Sequence, residues 1–284
     1  MAEPEQPQRQ VVVRFWGVRG TVPCPGPETL RYGGNTACVE VRWGAHRLIF
    51  DAGTGLRNLG RALLTEGRPL ASHLFFSHTH IDHVVGLPFF KPAYDVRNQL
   101  QMWCGHLRRQ GRRLDEVLGT LMQQPLFPVK LDIMHACLGF HDFDAGEVLR
   151  PVDGVEIRTG LLNHPGGATA YRVECSGRAV CYVTDTEHPD GGGRDAEVLR
   201  LIDGADLVIY DATYTDDEYP RYRGWGHSTW QEGVRLCQAA GARRLVAFHH
   251  DPEHDDDAMD RIAAALERAM PGSVVASEGL ELRP

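Results

Sequence analysis

Short apolar runs, broken by Gly/Pro-rich turns and by stretches of 3.6-residue periodicity, divide this chain into strands and helices. Residues 11–16 form the first run and predict a strand. A loop rich in glycine and proline follows over 17–27, then a tight turn over 32–36. Residues 37–43 alternate as a strand does, and Gly44 and Ala45 turn the chain into a partner over 47–51. Successive strands with no helix between them predict an antiparallel start. A helix is expected over 56–66, and Leu74-Phe75-Phe76 reads as a buried strand. Residues 84–88 read as a turn leading into a short helix.

The second half alternates more regularly. Strands are expected over 156–162, 168–175, 179–184, 206–210 and 245–248, with Ser176 and Gly177 turning the second into the third. Helices are expected over 195–202, and from the capping box Thr229-Trp230-Gln231-Glu232 to about Ala240, where Gly241 ends it. A last helix over 257–270 places Ile262, Leu266 and Met270 on one face. A strand pair within 273–283 is expected to close the chain. Residues 91–150 carry a weaker pattern: a strand over 97–104, a helix over 114–122, and a strand over 132–137 after Pro125 and Pro128. The whole sequence of elements fits an α/β (α+β) chain: two mixed β-sheets packed together, flanked by helices, with strand ends along one edge.

At 284 residues and 42% hydrophobic content the chain can bury one large core. A single domain over 11–284 is expected behind a disordered, Pro-rich leader over 1–10. The leader lacks the apolar centre of a signal peptide, and no run of eighteen apolar residues occurs, so no membrane span is expected. The seven cysteines (Cys24, Cys38, Cys104, Cys137, Cys175, Cys181 and Cys237) are odd in number and form no Cys-x-x-Cys pair. They read as free thiols packed as small apolar groups, which fits a reducing cytoplasm. A net charge of −8 argues against a large nucleic-acid-binding surface. The one concentrated basic patch is Arg108-Arg109-Gln110-Gly111-Arg112-Arg113. It reads as a solvated approach to a helix, with a rim that attracts an anionic substrate as the functional alternative.

Candidate chemistry concentrates in Ser77-His78-Thr79-His80-Ile81-Asp82-His83, where three histidines and one aspartate fall within six positions after a buried strand. Residues at a strand end point in different directions. Imidazole nitrogens and a carboxylate gathered there form a ligand set suited to zinc, manganese or iron(II). A lone histidine is more often a surface or core residue, and this density sets the segment apart. His164 ends the strand over 156–162, just before Pro165-Gly166-Gly167, and is the next candidate ligand. Asp51 closes an earlier strand ahead of Gly53 and Gly55, which would let backbone pass close behind a metal site. A plain turn aspartate is the bland alternative. Asn35 is a candidate for facing the same cleft.

The pattern His-x-His-x-Asp-His over 78–83 resembles the signature of the metallo-β-lactamase fold hydrolases. The resemblance covers most of the chain, from about Val12 onward, and implies an αββα sandwich with two divalent metal ions, zinc first, manganese or iron also fitting. Carried over residue by residue, it implies that His78, His80 and His164 hold one metal and that Asp82, His83 and His249 hold the other. Asp185 would bridge them, its two oxygens suiting cations about 3.5–4 Å apart. His249 is preferred to His250 because it comes first after its strand. Asp51 would support the site from behind. Water between two such cations is acidified to hydroxide and becomes the nucleophile, which Asp82 could also steer. Residues 91–150 would be an insertion that shapes the substrate site or a dimer contact, and a homodimer is among the expectations.

Asp211-Ala212-Thr213 followed by Gly226-His227-Ser228-Thr229 resembles the phosphodiesterase branch of that superfamily, which includes tRNA 3′-end-processing ribonucleases of the ribonuclease Z type. It implies that Asp211 orients His227, and that His227 stabilises the phosphate or protonates the leaving oxygen. The bland alternative for His227 is a residue at a helix entry. That branch usually carries Glu where this chain has Asp211, so the reach is shorter. The openings Gly17-Val18-Arg19-Gly20-Thr21 and Tyr32-Gly33-Gly34-Asn35-Thr36 are similar to bacterial cyclic-nucleotide phosphodiesterase-like members. The long Gly-rich, basic arm of the tRNA-processing enzymes has no evident counterpart. The expected substrate is therefore a small phosphodiester such as a 3′,5′-cyclic nucleotide, with RNA as the less favoured alternative. A lactone or ester hydrolase and a non-enzymatic metal-binding sensor complete the set.

Overall fold

Every second residue of β1 (Val11–Gly17) is buried, as in a strand with one face on a core. The computed structural model describes residues 10–189 and 193–284, so the expected leader, apart from Gln10, lies outside the described residues. β1 pairs antiparallel with β2 (Cys38–Trp43), which turns at Gly44 (φ +61°) into β3 (His46–Phe50). The chain then passes through α1 (Gly55–Thr65) and returns as β4 (Ala71–Phe76), parallel to β3. A one-turn helix, α2 (Ile81–Val84), carries Asp82 and His83, so the short helix starts earlier than expected. β5 (Gln99–Cys104), α3 (Leu114–Leu121) and β6 (Cys137–Asp142) follow, with β5 and β6 extending the sheet in parallel.

The strand expected over 132–137 begins only where that range ends. Leu131–Ile133 is a tight helical turn, and pairing with β5 starts at Cys137. β6 is a half-exposed edge strand with no buried residue, so its apolar alternation is weak.

β7 (Val148–Leu149), β8 (Val155–Leu162), β9 (Ala168–Cys175) and β10 (Arg178–Val183) pair antiparallel in sequence. Then α4 (Ala196–Ile202), β11 (Leu207–Asp211), α5 (Trp230–Ala239), β12 (Leu245–Phe248), α6 (Asp256–Ala269) and β13 (Val274–Val275) alternate, with parallel pairing from β10 to β13. The helices start where their caps dictate. Asp195, Thr229 and Asp255 each accept a backbone N–H of the first turn. β14 (Glu281–Leu282) pairs antiparallel with β1. The closing segment is therefore not a strand pair, because β13 and β14 join different sheets.

Among the described residues each sheet has seven strands, in the orders β14-β1-β2-β3-β4-β5-β6 and β13-β12-β11-β10-β9-β8-β7. Both are antiparallel on one side and parallel on the other. Three apolar clusters separate the layers. Phe15, Phe50, Phe75, Tyr171, Tyr182 and Phe248 meet between the sheets. Leu56, Leu59, Leu74, Phe76 and Leu118 join α1 and α3 to the first sheet. Val208, Tyr210, Leu236 and Leu266 join the later helices to the second. Leu74 and Phe76 face outward while Phe75 faces inward, so three consecutive residues serve two layers. Burying each contributes roughly 1.5–3 kcal/mol. The result is the αββα sandwich, and no helix among the described residues is long and apolar enough to cross a membrane.

Candidate metal centre

Residues that follow β4, β8, β10, β11 and β12 meet at one edge of the sandwich. Donor atoms of His78, His80 and His164 lie within 4.8 Å of one another, and so do those of Asp82, His83 and His249. In the first trio His164 Nε2 is 3.0 Å from His80 Nδ1. In the second, His83 Nε2 is 3.2 Å from His249 Nε2 and 3.1 Å from Asp82 Oδ2. Asp185 stands between them. Its Oδ1 is 3.8 Å from both His78 Nε2 and His164 Nε2, and its Oδ2 is 3.3 Å from His83 Nε2 and 3.4 Å from His249 Nε2. One carboxylate thus turns one oxygen to each trio.

The backbone is bent to achieve this. Asp51, Asp185 and His249 follow the strands β3, β10 and β12 and have φ of 61°, 59° and 62°. Left-handed backbone costs a non-glycine residue roughly 1–2 kcal/mol, and here it swings a side chain off the strand into the cleft. Close approach is also built in. A Cβ on Gly53 would stand 2.4 Å from the Asp82 carbonyl oxygen, and one on Gly86 would stand 1.9 Å from that of Gly53.

The imidazoles of His83, His164 and His249 are oriented through their far nitrogens. His83 Nδ1 bonds Asp51 Oδ2 at 2.8 Å, leaving Nε2 to the cluster. Asp51 also accepts from the Ser77 backbone N–H and hydroxyl, both at 2.7 Å, and from the Tyr182 hydroxyl at 2.8 Å. His164 Nδ1 donates to the Gly226 carbonyl at 2.7 Å. His249 Nδ1 meets the Thr213 hydroxyl at 3.1 Å, which lies 2.8 Å from Asp211 Oδ1. Such partners fix the tautomer and ring direction of a metal-binding histidine.

His227 lies beside the two trios, its ring centroid 5.0 Å from that of His249 and 5.4 Å from that of His164. Its Nδ1 bonds Asp211 Oδ2 at 3.0 Å, so the short aspartate reaches it. Burial alone would lower the pKa of His227, but the charge and hydrogen bond of Asp211, aided by Asp185 and Asp82, push it up to about 9. Asp82 is driven the other way. Burial would raise it, but His83 and His249 hold it far below the usual carboxylate range. Burial, reinforced by His83, keeps His78 well below the ordinary histidine value, in the neutral form that offers a lone pair.

Other candidates sit elsewhere. His250 is turned away: its Nε2 lies 2.9 Å from the Ala276 carbonyl, and burial lowers its pKa to about 3. Asn35 does not face the cluster. Its amide is taken by Glu278 Oε2 at 2.9 Å and its backbone N–H by Oε1 at 2.7 Å, which pins the first loop to the C-terminal segment. Within the basic patch, Arg108 pairs with Asp144 and Arg113 with Asp115, while Gln110 donates to the Gly166 carbonyl at 2.6 Å, just past His164.

Some contributing residues are not apparent from the sequence. Tyr182 reads as strand core, and only the fold brings its hydroxyl to Asp51. Glu187 accepts from the backbone N–H groups of Gly224 and Gly226 at 2.6 and 2.9 Å, tying the His227 loop to the end of β10. Its place two residues after Asp185 was the available signal. His106 lies 3.2 Å from the Thr79 hydroxyl and follows a strand end as the ligands do.

Two divalent cations fit this donor set. His78 Nε2 is buried in the cluster with no hydrogen-bond partner among the described residues, a state that otherwise costs about 1–3 kcal/mol. No cysteine enters either trio, so the set is nitrogen and oxygen only, open to zinc, manganese or iron(II).

The Beta-lactamase superfamily domain model matches residues 46–250, and the chain belongs to that superfamily, a family of metal-dependent hydrolases. Among curated relatives, the Ribonuclease Z of Myxococcus xanthus is 39% identical over 291 aligned positions, covering 86% of this chain and 91% of that protein. The Ribonuclease Z of Haloarcula marismortui is 26% identical over 321 positions, covering 95% and 96%. The crystal structure of the metallo-beta-lactamase fold protein YhfI from Bacillus subtilis superposes with a TM-score of 0.72 at 18% identity, covering 97% of this chain and all of that one.

Proposed function

We propose that the protein hydrolyses phosphodiester bonds, using two divalent cations, zinc first. His78, His80 and His164 would hold one, Asp82, His83 and His249 the other, and Asp185 both. When bound, the cations would supply Lewis-acid activation of water and neutralisation of charge on the phosphate. The observation that carries the reading is the pair His227–Asp211, joined at 3.0 Å beside both trios. Expelling an alkoxide from phosphate requires a proton at the leaving oxygen. Asp211 holds Nδ1 of His227 and stabilises its charged form, so Nε2 is free to deliver that proton. Asp82, ionised and buried against His83 and His249, would orient water.

We take the substrate to be compact, such as a 3′,5′-cyclic nucleotide. A cavity of about 660 Å³ opens beside His164, a volume typical of small-molecule sites. The net charge of −8 disfavours a long polyanion. The alignment with the Haloarcula relative runs over 321 positions, more than the 284 residues here, so that relative carries residues without a counterpart in this chain. A second reading, processing of RNA ends, is favoured by the name Ribonuclease Z borne by these relatives. The seven free cysteines suit a cytoplasmic setting.

The test is a panel of bis-p-nitrophenyl phosphate, cyclic AMP, cyclic GMP, a lactone and a short RNA, run on the metal-loaded protein and on Asp82→Ala. Turnover of the diesters, absent in Asp82→Ala, is expected. Turnover of the lactone alone would sink the proposal. Selective, strongly salt-dependent cleavage of the RNA would transfer it to the second reading.

A further inference from the structure

The cavity beside His164 has walls that the proton transfer does not use. They include Asn163, Glu187, His188, Tyr219 and Arg223. The Tyr219 and His188 rings lie against each other with centroids 4.1 Å apart. The guanidinium of Arg223 stands over the Tyr219 ring, its Cζ 5.7 Å from the centroid. Arg223 is exposed and, among the described residues, pairs with no carboxylate. Its loop is held in place: Glu187 accepts from Tyr219 Oη at 3.2 Å and from the backbone N–H of Gly224 at 2.6 Å.

We propose, resting on the phosphodiesterase reading, that this cavity is a nucleobase subsite, with Arg223, backed by the buried Tyr219 ring, as the residue that grips the base. His164 lines the cavity and belongs to the first trio, so a nucleotide with its phosphate at the cluster would extend its base into this space. Aromatic and guanidinium planes stack on bases, and the free guanidinium donors match the oxygen and ring-nitrogen acceptors of base edges. A second phosphate is the rival occupant, since an arginine also binds anions. It would sit beside the carboxylate of Glu187, which a neutral base tolerates and a phosphate does not.

The experiment compares wild type with Arg223→Ala and Arg223→Lys, both metal-loaded. Binding of adenosine and guanosine, which carry no phosphate, is measured by equilibrium dialysis, and turnover is measured on cyclic nucleotides and on methyl p-nitrophenyl phosphate. Wild type is expected to bind a nucleoside. Both variants should weaken that binding and raise KM for the cyclic nucleotide by about tenfold or more, the size of one lost stacking partner. Methyl p-nitrophenyl phosphate turnover should be unchanged, since it has no base. Lysine lacks the planar fork, so full rescue by Arg223→Lys would mean a point charge for an anion and would overturn the proposal. Absence of nucleoside binding to wild type would overturn it as well. Dialysis needs no turnover, so failure of the subsite is distinguishable from failure of the phosphodiesterase reading, in which no diester is cleaved at all.

Discussion

Gly20 lies against the imidazole of His249: a Cβ added there would stand 2.3 Å from Cε1 and 2.4 Å from Nδ1. The next residue, Thr21, donates its backbone N–H to Asp82 Oδ2 at 2.8 Å. The first loop therefore touches two members of the second trio. In Gly20→Ala the His249 ring must leave its position. Activity should fall at least about tenfold, with metal content reduced toward one per chain by mass spectrometry, while the thermal midpoint moves little. Two retained metals and full activity would show that the ring yields without cost.

Thr213 joins His249 to Asp211, and Asp211 in turn holds His227. Thr213→Val keeps the shape and removes the hydroxyl between the two histidine systems. A loss of about 10–100-fold in metal affinity or kcat is expected, with Thr213→Ser restoring most of it. Equal activity of the valine and serine variants in a metal titration would refute this role.

The ligands were legible because each is a titratable residue at the end of an apolar run, and both features are local. Glu187 and Tyr182 were not, since each acts through a partner at least 30 residues away in the chain. β6 was displaced because a half-exposed edge strand has little alternation to read. β13 and β14, two residues each, were joined as a pair because nothing local records that they belong to different sheets.

His73 offers a pH test away from the cluster. Its Nδ1 accepts from Trp103 Nε1 at 3.2 Å, a bond that only the neutral ring can accept. Burial, then the nearby His141 and His46, lowers its pKa to about 4. A histidine depressed in the folded state binds fewer protons there than when unfolded. Its contribution is therefore complete above about pH 6.5 and is lost as pH falls from there towards 4. After discounting for partial exposure, the loss should be about 1–2 kcal/mol. Denaturant melts at pH 7 and pH 4.5 should show a smaller acid loss in His73→Gln than in wild type. An identical loss in the two would rule His73 out.

Thiol chemistry reads the layers independently. Cys137 is exposed and Cys24 half-buried, while Cys38, Cys104, Cys175, Cys181 and Cys237 are buried. Burial pushes Cys104, Cys181 and Cys237 up to about 12 and Cys175 to about 11, so they react neither by access nor by ionisation. A disulfide-exchange reagent should modify Cys137 quickly, Cys24 slowly, and all seven only after unfolding. Rapid reaction of three or more in the native protein would contradict the buried positions.

His80 is the one exposed residue among the two trios, whereas Asp82, His83 and His249 are all buried. Two cations held as proposed would therefore differ in lability. One leaving the first trio would need one surface imidazole to swing aside, while one in the second would have to pass the first or wait for the strand ends to part. Chelation should be biphasic, with a fast and a slow loss of equal amplitude, and reloading should run in reverse order. The protein would then have a half-loaded form with a lifetime of its own, whose resting charge and reactivity differ from those of the full site.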